Sequence, residues 1–376
     1  MKGARILVVD DDPGMLRATE RVLAPQYEVT SCRTSREALQ RAASCTPDIA
    51  LLDVRMPDLS GFELRDALRG LCPDLDVIFM TGSLNHLDAT FVHAIRAHAF
   101  YFVQKPFDRE VLLTLIERCL ELRRLSTENR RHTARLEAEL GAARTFQHGL
   151  LPPPSARLEG IAIDARYLPC TELGGDFYDY ASPGPGRVTL LVADVAGHGV
   201  SAAMLTGVVK AAFDASGAHE YEPRAVVRRI AEGVRRFDLE RYVTVLCLRI
   251  DLARGTLEYV NAGHPPGVLW SGPGSTALLE STGLFISSAF PSAEWSQPVR
   301  PIRPGDRLLL FTDGLSDRQS RDEQFGRDRI LEVVSRHPDG GAPLLEALLD
   351  AAGRFDGGAP PADDVAILTA TVTGSR

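Results

Sequence analysis

The first 120 residues alternate short apolar runs with amphipathic stretches, and this alternation restricts the fold more than any other feature of the chain. The apolar runs are ILVVD, YEVTSC, DIALLD, DVIFMT and FYFVQ, and a helical pattern follows each of the first four. Strands that alternate with helices form a parallel sheet with helices on both faces. We therefore predict an α/β doubly wound domain with a five-stranded parallel sheet at residues 1–120.

Polar residues stand where several of these predicted strands end. Asp10 and Asp11 follow the first strand, Asp53 ends the third, Thr81 ends the fourth, and Lys105 lies just past the fifth. Ligands gather at the carboxyl ends of parallel strands. There, the first two acids can hold a divalent cation, Asp53 can act as a nucleophile, and Thr81 and Lys105 can contact a transferred phosphoryl group. Asp53 alone could be only a strand-end acid, but its four companions favour a phosphoryl site.

The motifs VVDDDP, LLDVRMPDLSG, FMTGS and QKPF together resemble the receiver domain of two-component response regulators. The resemblance implies that a histidine kinase phosphorylates Asp53 and that the Lys105-Pro106 peptide bond is cis. It also implies a Mg²⁺ site. The ligands of this site would be Asp10, Asp11, Asp53 and the backbone carbonyl of Arg55.

The switch aromatic of receiver domains corresponds here to Phe102, with Tyr101 beside it. Phe102 has no hydroxyl, which argues against a switch that relies on a tyrosine hydrogen bond.

The connector at residues 108–150 is charged, free of proline until Pro152, and nearly free of glycine, which predicts that the last receiver helix continues through it. A seven-residue spacing relates Leu115, Leu122, Asn129, Leu136 and Ala143. Sustained heptads favour a coiled coil, and an asparagine at a core position sets register in a two-stranded one. The second core position of each heptad is less suitable for a coiled coil, because Leu125 is apolar whereas His132 and Glu139 are charged or polar. We therefore predict that the linker forms a parallel homodimer, with a single exposed signalling helix as the alternative.

Beyond Pro154 the apolar runs become longer and alternate with polar residues, as in GIAIDARYL, RVTLLVAD, YVTVLCLRID and DVAILTATV. Several runs follow one another without a helix between them. This favours an antiparallel α+β domain, with helices on the outer faces of its sheets, over a second doubly wound domain. A chain of 376 residues suits two domains and a connector. We expect the second domain at residues 151–376.

Four further acids lie at or next to predicted strand ends in the second domain: Asp176, Asp194, Asp313 and Asp363. If they converge on one sheet edge, they can hold two metal ions, and oxygen ligands favour Mg²⁺ or Mn²⁺ over zinc. A metal pair lowers the pKa of a bridging water, so that no protein nucleophile is needed. The sequence has neither a GxSxG elbow nor a CxxxxxR loop, which agrees with such chemistry.

The motifs ELGGDFYDY, VADVAGHG, FTDGLSD and ADDVAIL, with FQHGLLPP and NAGHPP, resemble the protein phosphatase 2C-like (PPM) family of the bacterial SpoIIE/RsbU type. The resemblance implies an αββα sandwich and a protein serine/threonine phosphatase. The implied substrate is a phosphorylated STAS-type anti-sigma-factor antagonist. GGD also resembles a diguanylate cyclase signature superficially, but Phe177 and Tyr178 and the companion motifs argue against that reading.

The same resemblance implies roles for the acids. Asp194 bridges both metals, with the Val195 carbonyl as a further ligand, and Asp176 acts directly or through water. Asp313 and Asp363 complete the ligand shell of one metal ion, although the sequence leaves open whether Asp363 or Asp364 is that ligand. Whether the ions are Mg²⁺ or Mn²⁺ also stays open.

Three other features of the second domain bear on catalysis. The family's animal branch holds phosphate with an arginine just before the first acid, whereas residues 171–175 contain none, so that phosphate binding would rest mainly on the metals. His198 and His264 lie in glycine- or proline-containing turns, and both are more typical of turn residues than of a general acid. Trp270 and Trp295 are expected to be packing residues.

Other functional classes are less consistent with the sequence. A catalytically weak adaptor that binds a partner when phosphorylated remains an alternative, although it has no need for metal ligands. A net charge of -8 and a β-rich second domain argue against nucleic-acid binding. Six scattered cysteines predict free thiols, and the N-terminus predicts neither a signal peptide nor a membrane span. We therefore expect a soluble, cytoplasmic protein.

Overall fold

A computed structural model describes residues 3–82, 101–197, 199–237, 241–272 and 275–374. The helix predicted after the fourth strand lies outside these residues, and so does His198. The chain divides into two compact units, Met1–Leu136 and Glu137–Arg376.

The first unit contains a parallel sheet with strand order β2-β1-β3-β4-β5. Its described elements are β1 Arg5–Val9, α1 Pro13–Leu23, β2 Glu28–Cys32, α2 Ser35–Cys45, β3 Ile49–Asp53, α3 Gly61–Leu71, β4 Asp76–Thr81, β5 Tyr101–Gln104 and the first part of α4 Arg109–Leu150. The predicted five-stranded parallel sheet is confirmed.

Both faces of this sheet are buried. In β3, Ile49 and Leu51 pack with α1 and the beginning of α4 on one face. Ala50 and Leu52 pack with α2 and α3 on the other. A strand buried on both sides has no polar face, which explains why the predicted strands read as unbroken apolar runs.

Local signals set the ends of the helices in this unit. Asp12 caps α1 by accepting a 2.7 Å hydrogen bond from the backbone N–H of Gly14. Ser60 and Glu63 form a reciprocal capping box at α3. Such caps bind backbone N–H groups of the first turn that have no partner within the helix, and they therefore fix where each helix begins. The Lys105-Pro106 peptide bond is cis, as expected.

Helix α4 is continuous over its 42 residues and ends at Leu150, two residues before Pro152. Leu122, Leu125 and Leu136 are each more than half exposed, whereas the heptad residue Leu115 packs against the core of the first unit. Among the described residues, no helix is both long and apolar enough to cross a membrane.

The second unit contains two six-stranded sheets. Sheet I has the order β15-β11-β10-β9-β8, with β14 paired to β10, and sheet II has the order β13-β12-β16-β19-β7-β6. The first elements are β6 Ser155–Leu158, β7 Ile161–Leu168, β8 Asp176–Gly184, β9 Arg187–Val195, α5 Val200–Ala215, α6 Pro223–Arg235, β10 Tyr242–Asp251, β11 Thr256–Ala262 and β12 Gly267–Trp270. The remaining elements are β13 Thr276–Leu279, β14 Ile286–Ser287, β15 Val299–Pro301, β16 Arg307–Phe311, α7 Asp313–Ser316, β17 Gln319–Ser320, β18 Glu323–Gln324, α8 Gly326–Arg336, α9 Gly341–Phe355 and β19 Val365–Val372.

The two sheets pack face to face, and helices cover their outer faces. In β9, Leu190 and Val192 enter the core between the sheets. Leu191 and Ala193 alternate with them and pack against α5 and α6. Helices α8 and α9 cover sheet II in the same way. The strand pairs are antiparallel, and the predicted αββα sandwich is confirmed.

Candidate functional sites

The first candidate site lies at the carboxyl ends of β1 and β3. Ligand atoms of Asp10, Asp11 and Asp53 all come within 4.8 Å of one another. The Nζ atom of Lys105 lies 2.6 Å from Asp10 Oδ2 and 2.9 Å from Asp53 Oδ2. The parallel topology thus brings together the adjacent acids Asp10 and Asp11 with Asp53 and Lys105, which lie far from them in the sequence.

Burial dominates the electrostatics of Asp10, which is fully buried. Loss of hydration raises the pKa of its carboxyl group, and hydrogen bonds from Lys105 and from the Asp12 backbone oppose that rise. A further cation would relieve the remaining cost of keeping these acids ionised. Oxygen donors at this spacing fit a hard divalent ion such as Mg²⁺.

The other receiver residues lie around this cluster. Thr81 ends β4, is buried, and accepts a 2.7 Å hydrogen bond at its carbonyl from the Lys105 backbone N–H. The Arg55 N–H points at Asp53 Oδ1 at 3.4 Å, while the metal role of the Arg55 carbonyl stays a prediction. Phe102 stacks on Phe79 with ring centroids 5.4 Å apart, so that this aromatic packs toward the core.

The second candidate site lies where the two sheets of the second unit meet. Asp176 and Asp194 are direct partners across the β8–β9 strand pair of sheet I. Asp313 is the first residue of α7, two residues after the end of β16, and Asp363 lies two residues before β19, both at sheet II. Residues from four distant segments therefore face one region.

Burial and the charges of neighbouring carboxylates both act on Asp176, Asp194 and Asp313. Burial and then the charges of Asp313, Asp363 and Asp364 raise the pKa of Asp194 to about 7. Burial and then Asp194 raise the pKa of Asp176 well above its usual value. Mutual repulsion among buried carboxylates is relieved by cations, so that the donor set fits hard divalent metals.

Asp363 and Asp364 have different surroundings. Asp364 is 2% exposed and accepts backbone hydrogen bonds from Cys170 at 2.8 Å and Gly175 at 2.6 Å. Asp363 is exposed. Both of their carboxylates lie within 4.8 Å of the Cys170 sulfur. Burial and the two acids raise the pKa of Cys170 to about 11, so that its sulfur is a neutral thiol and a poor ligand for hard ions. The geometry favours Asp363 as a ligand and Asp364 as a structural acid.

Two glycines allow the close approach of backbone segments at this site. A Cβ atom on Gly175 would lie 2.4 Å from the Val195 carbonyl oxygen, and one on Gly314 would lie 1.8 Å from the Asp364 carbonyl oxygen. Any side chain at either position would push the acid-bearing segments apart. The Val195 N–H donates to the Gly175 carbonyl at 3.1 Å, while a metal role for the Val195 carbonyl stays a prediction.

Sequence reasoning missed two polar residues at the site. Thr312 donates a 2.6 Å hydrogen bond to Asp176 Oδ2 and accepts one from the Ala366 N–H at 2.9 Å. Gln147, near the end of α4, hydrogen-bonds the backbone of Gly174. Their motifs FTDG and FQHGLLPP are visible in the sequence, but nothing in the motifs identifies their partners.

His264 is a buried, neutral turn residue. Its Nδ1 atom lies 2.7 Å from the Thr244 hydroxyl, and its backbone N–H donates to Asn261 Oδ1 at 2.8 Å. Burial lowers the pKa of the imidazole to about 3. Thr244 is the cross-strand partner of Asp194, so that His264 contacts a residue next to the acid site.

The fold and the two acidic clusters define a class of protein that joins a receiver domain to a protein phosphatase 2C-like domain. The sequence model described as "Response regulator receiver domain" matches residues 6–117. The model described as "Stage II sporulation protein E (SpoIIE)" matches residues 184–373, just over half of the chain. The chain belongs to this SpoIIE family.

Individual relatives agree with this assignment. The chain is 31% identical over 221 residues to the phosphoserine phosphatase RsbP of Bacillus subtilis, a match that covers 56% of this chain and 52% of RsbP. It is 24% identical over 206 residues to the phosphoserine phosphatase RsbU of the same organism, which covers 54% of this chain and 60% of RsbU. The chain thus spans about half the length of these curated relatives. The SiaA-PP2C domain of Pseudomonas aeruginosa superposes with a TM-score of 0.56 at 25% identity, covering 63% of this chain and 97% of that domain.

Proposed function

We propose that this protein is a response regulator whose second domain hydrolyses phosphoserine or phosphothreonine on a partner protein in a metal-dependent reaction. The observation that carries the proposal is the grouping of Asp176, Asp194, Asp313 and Asp363. Burial, and then the charges of neighbouring acids, raise the pKa values of Asp176, Asp194 and Asp313. Such an arrangement costs free energy unless cations neutralise it. The likeness to two named phosphoserine phosphatases supports the reaction class.

Each acid has a proposed role. Asp194 and the Val195 carbonyl would hold both ions, Asp313 and Asp363 would complete the ligand set of one, and Asp176 would act directly or through water. When bound, Mn²⁺ or Mg²⁺ supplies an activated water and neutralises the phosphoryl oxygens. Thr312 orients Asp176, and Asp364 holds the turn before β8 through the Cys170 and Gly175 amides.

For the first domain, we propose phosphorylation of Asp53 by a histidine kinase, with Mg²⁺ held by Asp10, Asp11, Asp53 and the Arg55 carbonyl. Thr81 and Lys105 would contact the phosphoryl group, and Phe102 would act as the switch aromatic that responds to phosphorylation. The proposed organisation is a receiver domain at residues 1–120, a linker at 108–150 and a phosphatase domain at 151–376.

Control of the output would pass through α4 and the segment Asp194–Ala203, since coupling needs an element with two states. The exposed heptad leucines of α4 support a parallel homodimer as the form in which this cytoplasmic protein acts. The substrate we propose is a phosphorylated STAS-type anti-sigma-factor antagonist, which is the substrate that the resemblance of the sequence motifs to the SpoIIE/RsbU type implies.

Hydrolysis of a phosphoserine peptide with EDTA and with Mn²⁺ tests the output function. We expect activity only with metal, a loss of activity in Asp313→Ala, and wild-type activity in Asp322→Ala, which removes an exposed acid from the same region. Full activity in Asp313→Ala would overturn the proposal. An inactive wild-type protein that still binds a partner only when phosphorylated would favour the adaptor alternative.

Regulation is tested with beryllofluoride as a phosphoryl mimic on the receiver. We expect the mimic to change turnover or the mass measured by light scattering, and Asp53→Asn to abolish the change. Identical turnover and mass with and without the mimic would contradict regulation through Asp53.

A further inference from the structure

The last turns of α4 present one face to the segment that leads into β8. Arg144, Gln147 and His148 have the i, i+3, i+4 spacing that places side chains on one side of a helix. Arg144 Nη1 lies 3.4 Å from Glu172 Oε2 on the exposed edge of this contact. The His148 ring meets the Tyr167 ring edge-on, with centroids 5.8 Å apart. Gln147 lies between these contacts and is 7% exposed.

The Gln147 amide binds both backbone groups of a single residue. Its Nε2 donates to the Gly174 carbonyl at 2.6 Å, and its Oε1 accepts from the Gly174 N–H at 3.1 Å. The same Nε2 lies 3.2 Å from the Thr206 hydroxyl on α5. One side chain therefore joins α4, the turn before β8 and the helix that follows the Asp194 loop.

This anchor is adjacent to the carboxylate cluster. Gly174 lies two residues before Asp176, and the next residue, Gly175, gives its N–H to Asp364. Two side chains thus hold the turn: Gln147 binds Gly174, and Asp364 binds Gly175. A buried backbone donor and acceptor that lose their partners cost free energy, so that the turn would shift to find others.

We infer that Gln147 is a positioning residue for the metal site. It holds the Gly174–Asp176 turn, and through it the placement of Asp176 opposite Asp194. The catalytic consequence rests on the proposed phosphatase function, whereas the structural anchor does not. Because Gln147 lies on α4, metal binding depends on the helical state of the last turns of the linker.

The anchor itself is tested by hydrogen exchange of the full chain, which needs neither metal nor activity. Gln147→Ala removes all three contacts, and Gln147→Glu keeps the side-chain length but loses the N–H donor. We expect exchange in the peptide that contains Gly174 to accelerate about tenfold in Gln147→Ala, which leaves the buried Gly174 N–H without its acceptor. The effect should be smaller in Gln147→Glu, whose carboxylate can still accept that hydrogen bond. Thr145→Ala is the control, because its hydroxyl is exposed and bonds only the Gly141 carbonyl of its own helix.

The consequence for the site is tested by titrating Mn²⁺ during phosphopeptide hydrolysis. We expect the half-saturating Mn²⁺ concentration to rise about tenfold in both Gln147 variants, with the KM for the peptide unchanged. Wild-type exchange and wild-type Mn²⁺ dependence in Gln147→Ala would overturn the inference. So would an acceleration spread evenly over the second unit, which would indicate a purely structural role. If the wild-type protein shows no Mn²⁺-dependent hydrolysis, the proposed function fails while the exchange result still decides the anchor.

Discussion

Thr312 donates a 2.6 Å hydrogen bond to Asp176, and this bond joins the two sheets of the second unit at the carboxylate cluster. Thr312 directly follows β16 of sheet II, whereas Asp176 opens β8 of sheet I. Both residues are buried. A hydrogen bond to a buried carboxylate orients it and offsets part of its lost hydration.

Removing this hydroxyl is expected to reduce activity. In Thr312→Val, Asp176 keeps its burial but loses a donor, and we predict about a tenfold loss of Mn²⁺ affinity in the hydrolysis assay. Thr369→Val is the matched control, because its buried hydroxyl binds the Leu308 carbonyl at 2.9 Å in the same sheet. Both variants are expected to lose about 1 kcal/mol or more of stability. Equal activities in the two variants would contradict an orienting role for Thr312.

Substitution of the neighbouring acids Asp363 and Asp364 by asparagine is expected to affect different properties, namely Mn²⁺ affinity and stability. Asp363→Asn should weaken Mn²⁺ affinity by more than about a hundredfold, beyond the range seen for groups outside the metal shell, with little loss of stability. Asp364→Asn should lower the free energy of unfolding by about 2 kcal/mol, since an amide NH₂ would face one of two backbone donors. Mn²⁺ titration and urea unfolding of both variants separate these effects. The reverse pattern would make Asp364 the ligand.

In the receiver, Lys105→Met would leave Asp10 and Asp53 without the ammonium group between them. We expect the first unit to lose about 3 kcal/mol of stability in metal-free buffer, because a buried charge loses its partner. Mg²⁺ should restore part of this loss, since a bound cation stabilises the folded state. Calorimetry with EDTA and with Mg²⁺ measures both effects, and Arg36→Met, on the exposed side of α2, is the control. A loss of stability that Mg²⁺ leaves unchanged would argue against a cation site here.

The lowered pKa of the buried His264 imidazole should make the stability of the protein depend on pH. Its pKa is about 3 in the folded protein against 6.5 in an ordinary environment, so that between these values the unfolded chain binds a proton that the folded chain does not. This contribution is fully present above the unfolded pKa and is lost as pH falls toward the folded one. Between about pH 7 and about pH 5, the stability of the wild type should fall by about 2 kcal/mol more than that of His264→Gln. Urea unfolding at both pH values measures the difference, with His132→Gln on α4 as the control. Parallel pH profiles for wild type and His264→Gln would contradict it.

Hydrophobic periodicity predicted much of the fold, because it is a local property of the chain. The unbroken apolar run at Ile49–Asp53 and the cap at Asp12 need only their near neighbours to form a buried strand and a helix start. The motifs likewise indicated which acids lie at strand ends. They did not distinguish Asp363 from Asp364, since the two are adjacent and differ only in which backbone amides reach them.

The sequence by itself determined the order of the elements, the parallel and antiparallel character of the sheets and the positions of the acids along the chain. Only the tertiary structure decided the partners that hold those acids. Gln147 and Gly174 are 27 residues apart, and Thr312 and Asp176 are 136 apart. No local preference encodes such pairs, because each forms only when separate elements pack and bury polar groups that must then find one another.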